Sequence, residues 1–359
     1  MKNEEMNRRA ALKLVAAGAV TTLGARGQED KGKSKDAWSR AHDRVWLGGE
    51  FWANPMEDWK VVDGAAECQS DGPGRNIHSI THQIQNLPGD FTMSVHVERV
   101  ALKGEDAGAG FRMGVRSELN EHRSNCFAKN GLSVGVMNGQ LMIGRKSAKL
   151  AAGNGEAFIL NLSGKAAGDQ MKLTLEVRSP KSMEVLGQIS QSVPAASLLG
   201  NVALVNGFAQ GGKKGPKNSS RYRFSQWKLS GDAFEVSPSQ RFGPILWSMY
   251  SLSDSRSDEG FVMKMSALTG PMGAKDSQVV ELQVERDGKW HSLGEVKLDP
   301  DAWVATFRIA NWNAGLATPY KLVYREKHRD GSETPDEWKG VIQANPVGRP
   351  LRMAALTCQ

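Results

Sequence analysis

Pro88-Gly89-Asp90-Phe91-Thr92-Met93-Ser94-Val95-His96-Val97 is the stretch from which the chain is best read. A turn-forming triplet leads into strict alternation of apolar and polar side chains. A period of two puts Phe91, Met93, Val95 and Val97 on one face of an extended strand and Thr92, Ser94 and His96 on the other. A strand with one oily and one polar face belongs to an antiparallel sheet that covers a core on one side and meets water on the other. Stretches of the same kind recur at 108–115, 132–137, 140–143, 171–177, 202–208 and 224–229, and no long helical period separates them. Between two of them stands Asn138-Gly139, which supplies the positive φ angles of a two-residue hairpin turn. Short strands at regular spacing, polar turns and almost no helix predict an all-β, two-sheet sandwich or jelly roll over residues 38–235.

Gly89-Asp90-Phe91-Thr92-Met93-Ser94-Val95, Ala109-Gly110-Phe111-Arg112-Met113-Gly114-Val115, Gly131-Leu132-Ser133-Val134-Gly135-Val136 and Tyr222-Arg223-Phe224-Ser225-Gln226-Trp227 together resemble the concanavalin A-like lectin/glucanase superfamily of jelly rolls. Such domains often bind glycans or calcium on a concave sheet or rim, and the resemblance implies a site of that kind by analogy. No residue is singled out as the sugar contact. A glycosidase on such a scaffold needs two carboxylates roughly 5–10 Å apart across the sugar, and no run of acids spaced by two occurs. Glu118 and Glu121 fall in a polar loop and read as solvated, so no catalytic residue is assigned. His78 and His82 are expected to share a strand face, with His96 on a neighbouring strand; they read as a metal pair or, more simply, as ordinary surface histidines. The basic loop 211–217 reads as a hairpin tip, with contact to an acidic glycan or phosphate as the other reading.

Residues 236–345 form a second β-rich unit beyond the linker Ser237-Pro238-Ser239-Gln240-Arg241-Phe242-Gly243-Pro244. Strands are expected at 261–267, 279–286, 291–297, 304–309, 320–324 and 338–343, with turns at Asp287-Gly288 and Asp330-Gly331. Their number and size fit an immunoglobulin or fibronectin type III-like sandwich. Its aromatic residues, Trp290, Trp303, Phe307, Trp312, Tyr320, Tyr324 and Trp338, are expected in its core and rim rather than on a ligand platform. Asp254, Asp258 and Glu259 lack the spacing and turn glycine of a calcium loop and read as solvated acids.

At 359 residues the chain has room for two or three cores. Its net charge of +7 sits mostly at the front. Residues 1–35 hold eight Lys/Arg and four Asp/Glu, which leaves 38 against 35, or +3, for the remainder. That surplus is too mild to point to a polyanion such as nucleic acid. Arg8-Arg9, an apolar stretch over 14–23 and small residues at Gly24-Ala25 have the three-part order of a twin-arginine export signal over residues 1–25. The translocase is then the partner during export, and a secreted or periplasmic location follows. Residues 26–37 read as a disordered linker, and nothing beyond the leader is apolar for the roughly 20 residues of a stable membrane span. Three cysteines do not make a disulfide scaffold; Cys68 and Cys126 either bridge in an oxidising compartment or stay free thiols.

Residues 346–359 close the chain with a linker and a mostly apolar stretch, Leu351-Arg352-Met353-Ala354-Ala355-Leu356-Thr357-Cys358-Gln359, expected to be the first buried strand of a truncated further domain. A sandwich followed by such a strand resembles secreted alkaline-phosphatase-D-like (PhoD-like) metallophosphoesterases. That resemblance implies Cys358 as a metal ligand in a full-length enzyme holding divalent or iron-type ions, with no cofactor in this portion. Two functions stand on these residues: the non-catalytic front portion of an exported phosphoester hydrolase, or a free-standing secreted carbohydrate-binding protein.

Overall fold

The structure is a computed structural model and describes residues 36–103, 108–115, 131–150, 156–208, 220–348 and 350. A four-residue helix, α1 (Ala37–Arg40), precedes fifteen strands of a first sandwich. These are β1 (Phe51–Asn54), β2 (Trp59–Val62), β3 (Ala65–Cys68), β4 (Arg75–Ile84), β5 (Phe91–Leu102), β6 (Gly108–Val115), β7 (Leu132–Met137), β8 (Gln140–Ile143), β9 (Lys146–Lys149), β10 (Ala157–Ala167), β11 (Gln170–Arg178), β12 (Val185–Pro194), β13 (Gly200–Asn206), β14 (Ser220–Ser230) and β15 (Phe234–Val236). A second sandwich follows with β16 (Ile245–Asp254), β17 (Phe261–Thr269), β18 (Val279–Arg286), β19 (Lys289–Lys297), β20 (Val304–Ile309), β21 (Thr318–Lys327) and β22 (Glu333–Ile342).

Among the described residues these strands form four antiparallel sheets. The first sandwich stacks β1-β4-β13-β6-β7-β8-β9, with β15 also on β4, against β12-β11-β10-β5-β14-β3-β2. The second pairs β16-β17-β20 with β19-β18-β21-β22. Alternation decides which side chains meet. Across the eight-stranded sheet Ile77, Leu204, Phe111, Val134 and Ile143 stand opposite one another, all fully buried. Across the seven-stranded sheet Leu229, Met93, Leu162, Leu175 and Ile189 form the facing row. Each such side chain contributes about 1.5–3 kcal/mol on leaving water. Asn138 (φ 50°) and Gly139 (φ 72°) make the tight turn between β7 and β8, and Asp287 (φ 50°) and Gly288 (φ 71°) the one between β18 and β19.

The second core collects Phe307, Trp312, Tyr320 and Tyr324, while Trp290 stays partly exposed beneath the Lys321 ammonium, 5.0 Å from its ring centre. Tyr324 is fully buried, and its hydroxyl donates to Ser277 O at 2.8 Å.

Residues 36–47 tie the two sandwiches together. Trp38 is buried in the first core, with its indole N–H donating to Leu47 O at 3.0 Å, whereas Trp46, eight residues on, belongs to the second core. The backbone of Arg44 pairs with Val61 on β2, and its side chain crosses into the second sandwich. There Nη1 donates to Asp276 at 3.2 Å and Nη2 to Glu326 at 2.7 Å, while Nε bonds Trp46 O and the guanidinium lies 4.8 Å from the Trp46 ring centre. Arg329 returns the link by bonding Asp43 and Ala41 O. Reading the front of the chain as part of the first unit alone therefore misses Arg44 and Trp46. Trp46 stands between Val45 and Leu47, and such a short apolar run carries no sign of which core it fills.

Candidate functional site

The outer face of the seven-stranded sheet carries a groove of about 380 Å³. Its lining follows from the strand register. Ser230, Thr92, Ser163, Thr174 and Ser190 stand opposite one another across β14, β5, β10, β11 and β12, a row of five hydroxyls. Thr92 Oγ1 lies 2.7 Å from Ser230 Oγ, and Thr174 Oγ1 lies 2.9 Å from Ser190 Oγ. The adjacent row on the same face is Lys228, Ser94, Asn161, Glu176 and Gln188. Hydroxyls and amides both donate and accept, so the two rows offer both kinds of hydrogen bond at each strand spacing.

A bulge puts Lys228 and Ser230 into this site. On β14, Ser225 opposes His96 and Lys228 opposes Ser94, so three steps on β14 match two on β5. Without that extra residue Lys228 would share the parity of Phe224 and point into the core. Gln226 takes φ 53° at the bulge, and its N–H donates to Asp36 Oδ2 at 2.8 Å, while Asp36 Oδ1 accepts from Trp38 N–H at 3.2 Å. Burial raises the Asp36 carboxyl above its ordinary range, opposed by these two amides and more weakly by His96 and Lys228.

The histidines do not form one site. Six residues of β4, His78 to Gln83, are spanned by only the three from Asn201 to Ala203 on β13, and this irregularity separates His78 from His82. His78 Nδ1 donates to Asn201 Oδ1 at 2.5 Å, and Asn201 Nδ2 donates to Ser79 O. Its Nε2 is buried without a hydrogen-bond partner among the described residues. His82 bonds Thr81 and meets the edge of Phe234. Burial lowers the pKa of both, for His78 against an opposing pull from Asn201 and with a small push from Arg112. Arg112, on the same outer face of the eight-stranded sheet as His78, is itself pushed down to about 10 by burial and donates to Ser133 Oγ at 2.9 Å.

A pH dependence follows. A histidine held neutral in the fold contributes stability that is complete above its ordinary value of 6.5 and lost as pH falls from there through its lower folded value. The paired carboxylates Asp90 and Glu259 hold their contribution down to the acid range, because their folded values lie below the ordinary 3.8 and 4.5. Between pH 7.5 and 5.5 the loss of stability on acidification thus belongs to histidines, up to about 1.4 kcal/mol per pH unit for His78, since the raised Asp36 carboxyl acts in the opposite sense. His78→Asn keeps a donor near Asn201 and removes the titration. Its unfolding free energy by denaturant titration is expected to fall less between those pH values than that of the wild type; an equal fall excludes His78 as the source.

Of the other sequence candidates, Cys358, Arg8, Arg9, Glu118, Glu121, Cys126 and the loop 211–217 lie outside the described residues. Cys68 is a free, buried thiol bonded to Ser70 O, and burial pushes its pKa up to about 12, which leaves it unreactive. Glu259 forms a two-pronged ion pair with Arg308, and Asp254 caps Arg256 N–H. Among the described residues no three of His, Cys, Asp and Glu converge to hold a metal ion. No described helix is long and apolar enough to cross a membrane. The groove residues escaped sequence reading because each is an ordinary outward polar residue; only the pairing of β14, β5, β10, β11 and β12 aligns them.

No family model matches the chain, and no curated protein matches it. Among solved structures it is similar to lectin II from Ulex europaeus, 15% identical over 50% of this chain and 91% of that one, with a TM-score of 0.35. It is also similar to basic winged bean lectin with Tn-antigen (9% identical, 54% and 96% covered, TM-score 0.38). A third is arcelin-5, a lectin-like defense protein from Phaseolus vulgaris (10% identical, 55% and 98% covered, TM-score 0.36). At such identities and scores nothing functional is carried over from them.

Proposed function

We propose that the protein binds carbohydrate, with an extended glycan lying across the strands of the seven-stranded sheet. The observation that carries this reading is the pair of polar rows that line one groove, from Ser230 to Thr174 and from Lys228 to Gln188, the first of them continued beyond the groove by Ser190. A sugar chain presents alternating donors and acceptors, and strands about 4.8 Å apart repeat hydroxyls and amides at a period close to that of successive sugar rings. A pocket for an apolar small molecule is lined mainly by hydrophobic and aromatic side chains; the described residues of this groove include no aromatic one. Hydrolysis across the sugar needs two flanking carboxylates, and among the described residues the groove offers Glu176 alone, held by Arg178 Nε at 2.5 Å. Binding without turnover is therefore the reading put forward.

In this proposal the twin-arginine leader with Arg8 and Arg9 exports the chain, and the second unit, an immunoglobulin or fibronectin type III-like sandwich, acts as a rigid spacer. The wider reading, a front portion of a PhoD-like phosphoesterase, is supported only by residues 351–359 and Cys358, so the glycan reading is preferred.

Ser163→Trp fills the middle of the groove from an outward position and leaves the core untouched. Retention on a polysaccharide affinity gel, after a glycan-array screen has chosen the polymer, is expected to drop at least about tenfold, the loss of one to two hydrogen-bonded sugar contacts. Unchanged retention in a folded Ser163→Trp variant sinks the groove assignment.

A further inference from the structure

The charges of the groove face do not balance. The carboxylates nearest the groove are taken: Glu176 pairs with Arg178 at 2.5 Å, Glu98 with Arg223 at 2.7 Å, and Asp90, at the head of β5, with Lys165 at 2.7 Å, while Glu67, farther out on β3, accepts from Gln69 Nε2 at 3.0 Å. Asp36, which couples electrostatically to Lys228, gives both oxygens to backbone amides. Near the groove, among the described residues, two ammonium groups are left over. Lys228 lines the groove at the β14 end. Lys172 is exposed on β11, two positions before Thr174 and on the same face. Among the described residues neither has a carboxylate within salt-bridge range. Lys172 even stands opposite a second cation, Lys165, an unfavourable neighbour. His96 adds no positive charge at neutral pH, since burial first and the charge of Lys228 second hold its pKa low.

Unpaired ammonium groups on either side of a hydroxyl row contribute nothing to the fold that a neutral polar residue would not. We infer that the groove takes an anionic glycan, a polymer bearing carboxylate or sulfate groups, with Lys228 and Lys172 as its cationic contacts and the row from Ser230 to Ser190 between them. This rests on the carbohydrate reading of the same groove and narrows it. Lysine is a point charge without the planar fork of arginine, so it suits both carboxylates and sulfates. The two lysines sit on β14 and β11, three strand spacings or about 14 Å apart across the sheet and, because Lys228 shares the row of Glu176, about 13 Å apart along the strands, which puts them roughly 20 Å from each other. Such a separation matches charged groups on non-adjacent sugars of a repeating polymer rather than on one monosaccharide. The mild net charge of the whole chain hides this local surplus, because the surplus comes from side chains that only the strand register brings to one face.

The test uses the 359-residue chain against three immobilised polymers: a polyuronate, a sulfated galactan and a neutral glucan. The expected result is binding of one or both anionic polymers at least about tenfold tighter than the glucan. Binding should weaken as NaCl rises from about 0.1 M to about 1 M, which shortens the screening length from roughly 10 Å to roughly 3 Å. Lys228→Gln and Lys172→Gln, both at exposed positions, should each weaken anionic binding roughly three- to tenfold, the effect of one charge-assisted hydrogen bond; Lys172→Gln, outside the groove lining, should in addition leave glucan binding unchanged. The polyuronate and sulfate arms decide between the two anions. Retention of the glucan as strongly as the anionic polymers, with both glutamine variants like the wild type, overturns the anionic class and leaves the carbohydrate reading standing. No retention of any polymer overturns both.

Discussion

Arg44→Met is expected to destabilise the protein by about 3–5 kcal/mol, the usual cost of removing one partner of a buried ion pair. The Arg44 side chain is 3% exposed and that of Asp276 fully buried. Taking away the guanidinium leaves the Asp276 carboxylate with Gly273 N–H as its remaining bond partner among the described residues. Glu326, 18% exposed, can turn to water and adds less. The loss acts at the junction, because the Arg44 backbone belongs to the edge of the first sandwich and its side chain to the second. Denaturant unfolding followed by both tryptophan fluorescence and far-ultraviolet circular dichroism is therefore expected to separate into two transitions in Arg44→Met and to remain closer to one in the wild type. The double variant Arg44→Met/Asp276→Asn removes the stranded charge and should recover part of the loss. If it is no more stable than Arg44→Met, the cost lies in packing against Trp46 rather than in the ion pair.

Strands were legible in the sequence wherever alternation was clean and turns were marked. β7 and β8 meet at Asn138-Gly139, and β18 and β20 run over the spans that their apolar periods suggest. The strand β4 was legible only in the expectation that His78 and His82 share a strand face; Arg75–Ile84 buries Asn76, His78, Ser79 and Thr81, so its polar letters hide its length and its central place. β12 was missed for the opposite reason, since an edge strand rich in Gln and Ser buries little of itself. The groove was legible in part. Thr92 and Ser94 stand out as the wet side of the opening stretch, but their companions Asn161, Ser163, Thr174 and Gln188 come from strands whose pairing no local pattern states. Parity also fails at Gln226, where one inserted residue turns Lys228 outward, and the acid that fixes that insertion, Asp36, is 190 residues away in the chain. A short motif cannot encode a long-range register.

Register also explains the second large effect, at the turn where groove and core share a backbone. Gly231 follows Ser230 directly and takes φ +117°, a region that residues with a Cβ rarely enter. A Cβ there would lie 2.6 Å from Phe91 Cα and against Asp90 O, so it meets backbone that cannot step aside without shifting β5. The next turn depends on the same contact, since Ala233 N–H donates to Asp90 O and Phe234 N–H to Gly231 O. Gly231→Ala thus combines a torsional cost of about 1–2 kcal/mol with overpacking of typically 1–3 kcal/mol, and a total near 3 kcal/mol is expected. Gly139→Ala is the control: Gly139 also has positive φ, +72°, but has nothing within 4 Å of the added carbon, so only the torsional part applies. Because β14 carries Lys228 and Ser230 on one side and Leu229 on the other, a shift of β5 against β14 misaligns the first two strands of both polar rows. Polysaccharide retention should therefore fall in Gly231→Ala even at temperatures where the variant is folded, while Gly139→Ala retains binding. Equal losses of stability in the two variants would show that the Asp90 turn yields, and that the alignment of the rows does not depend on it.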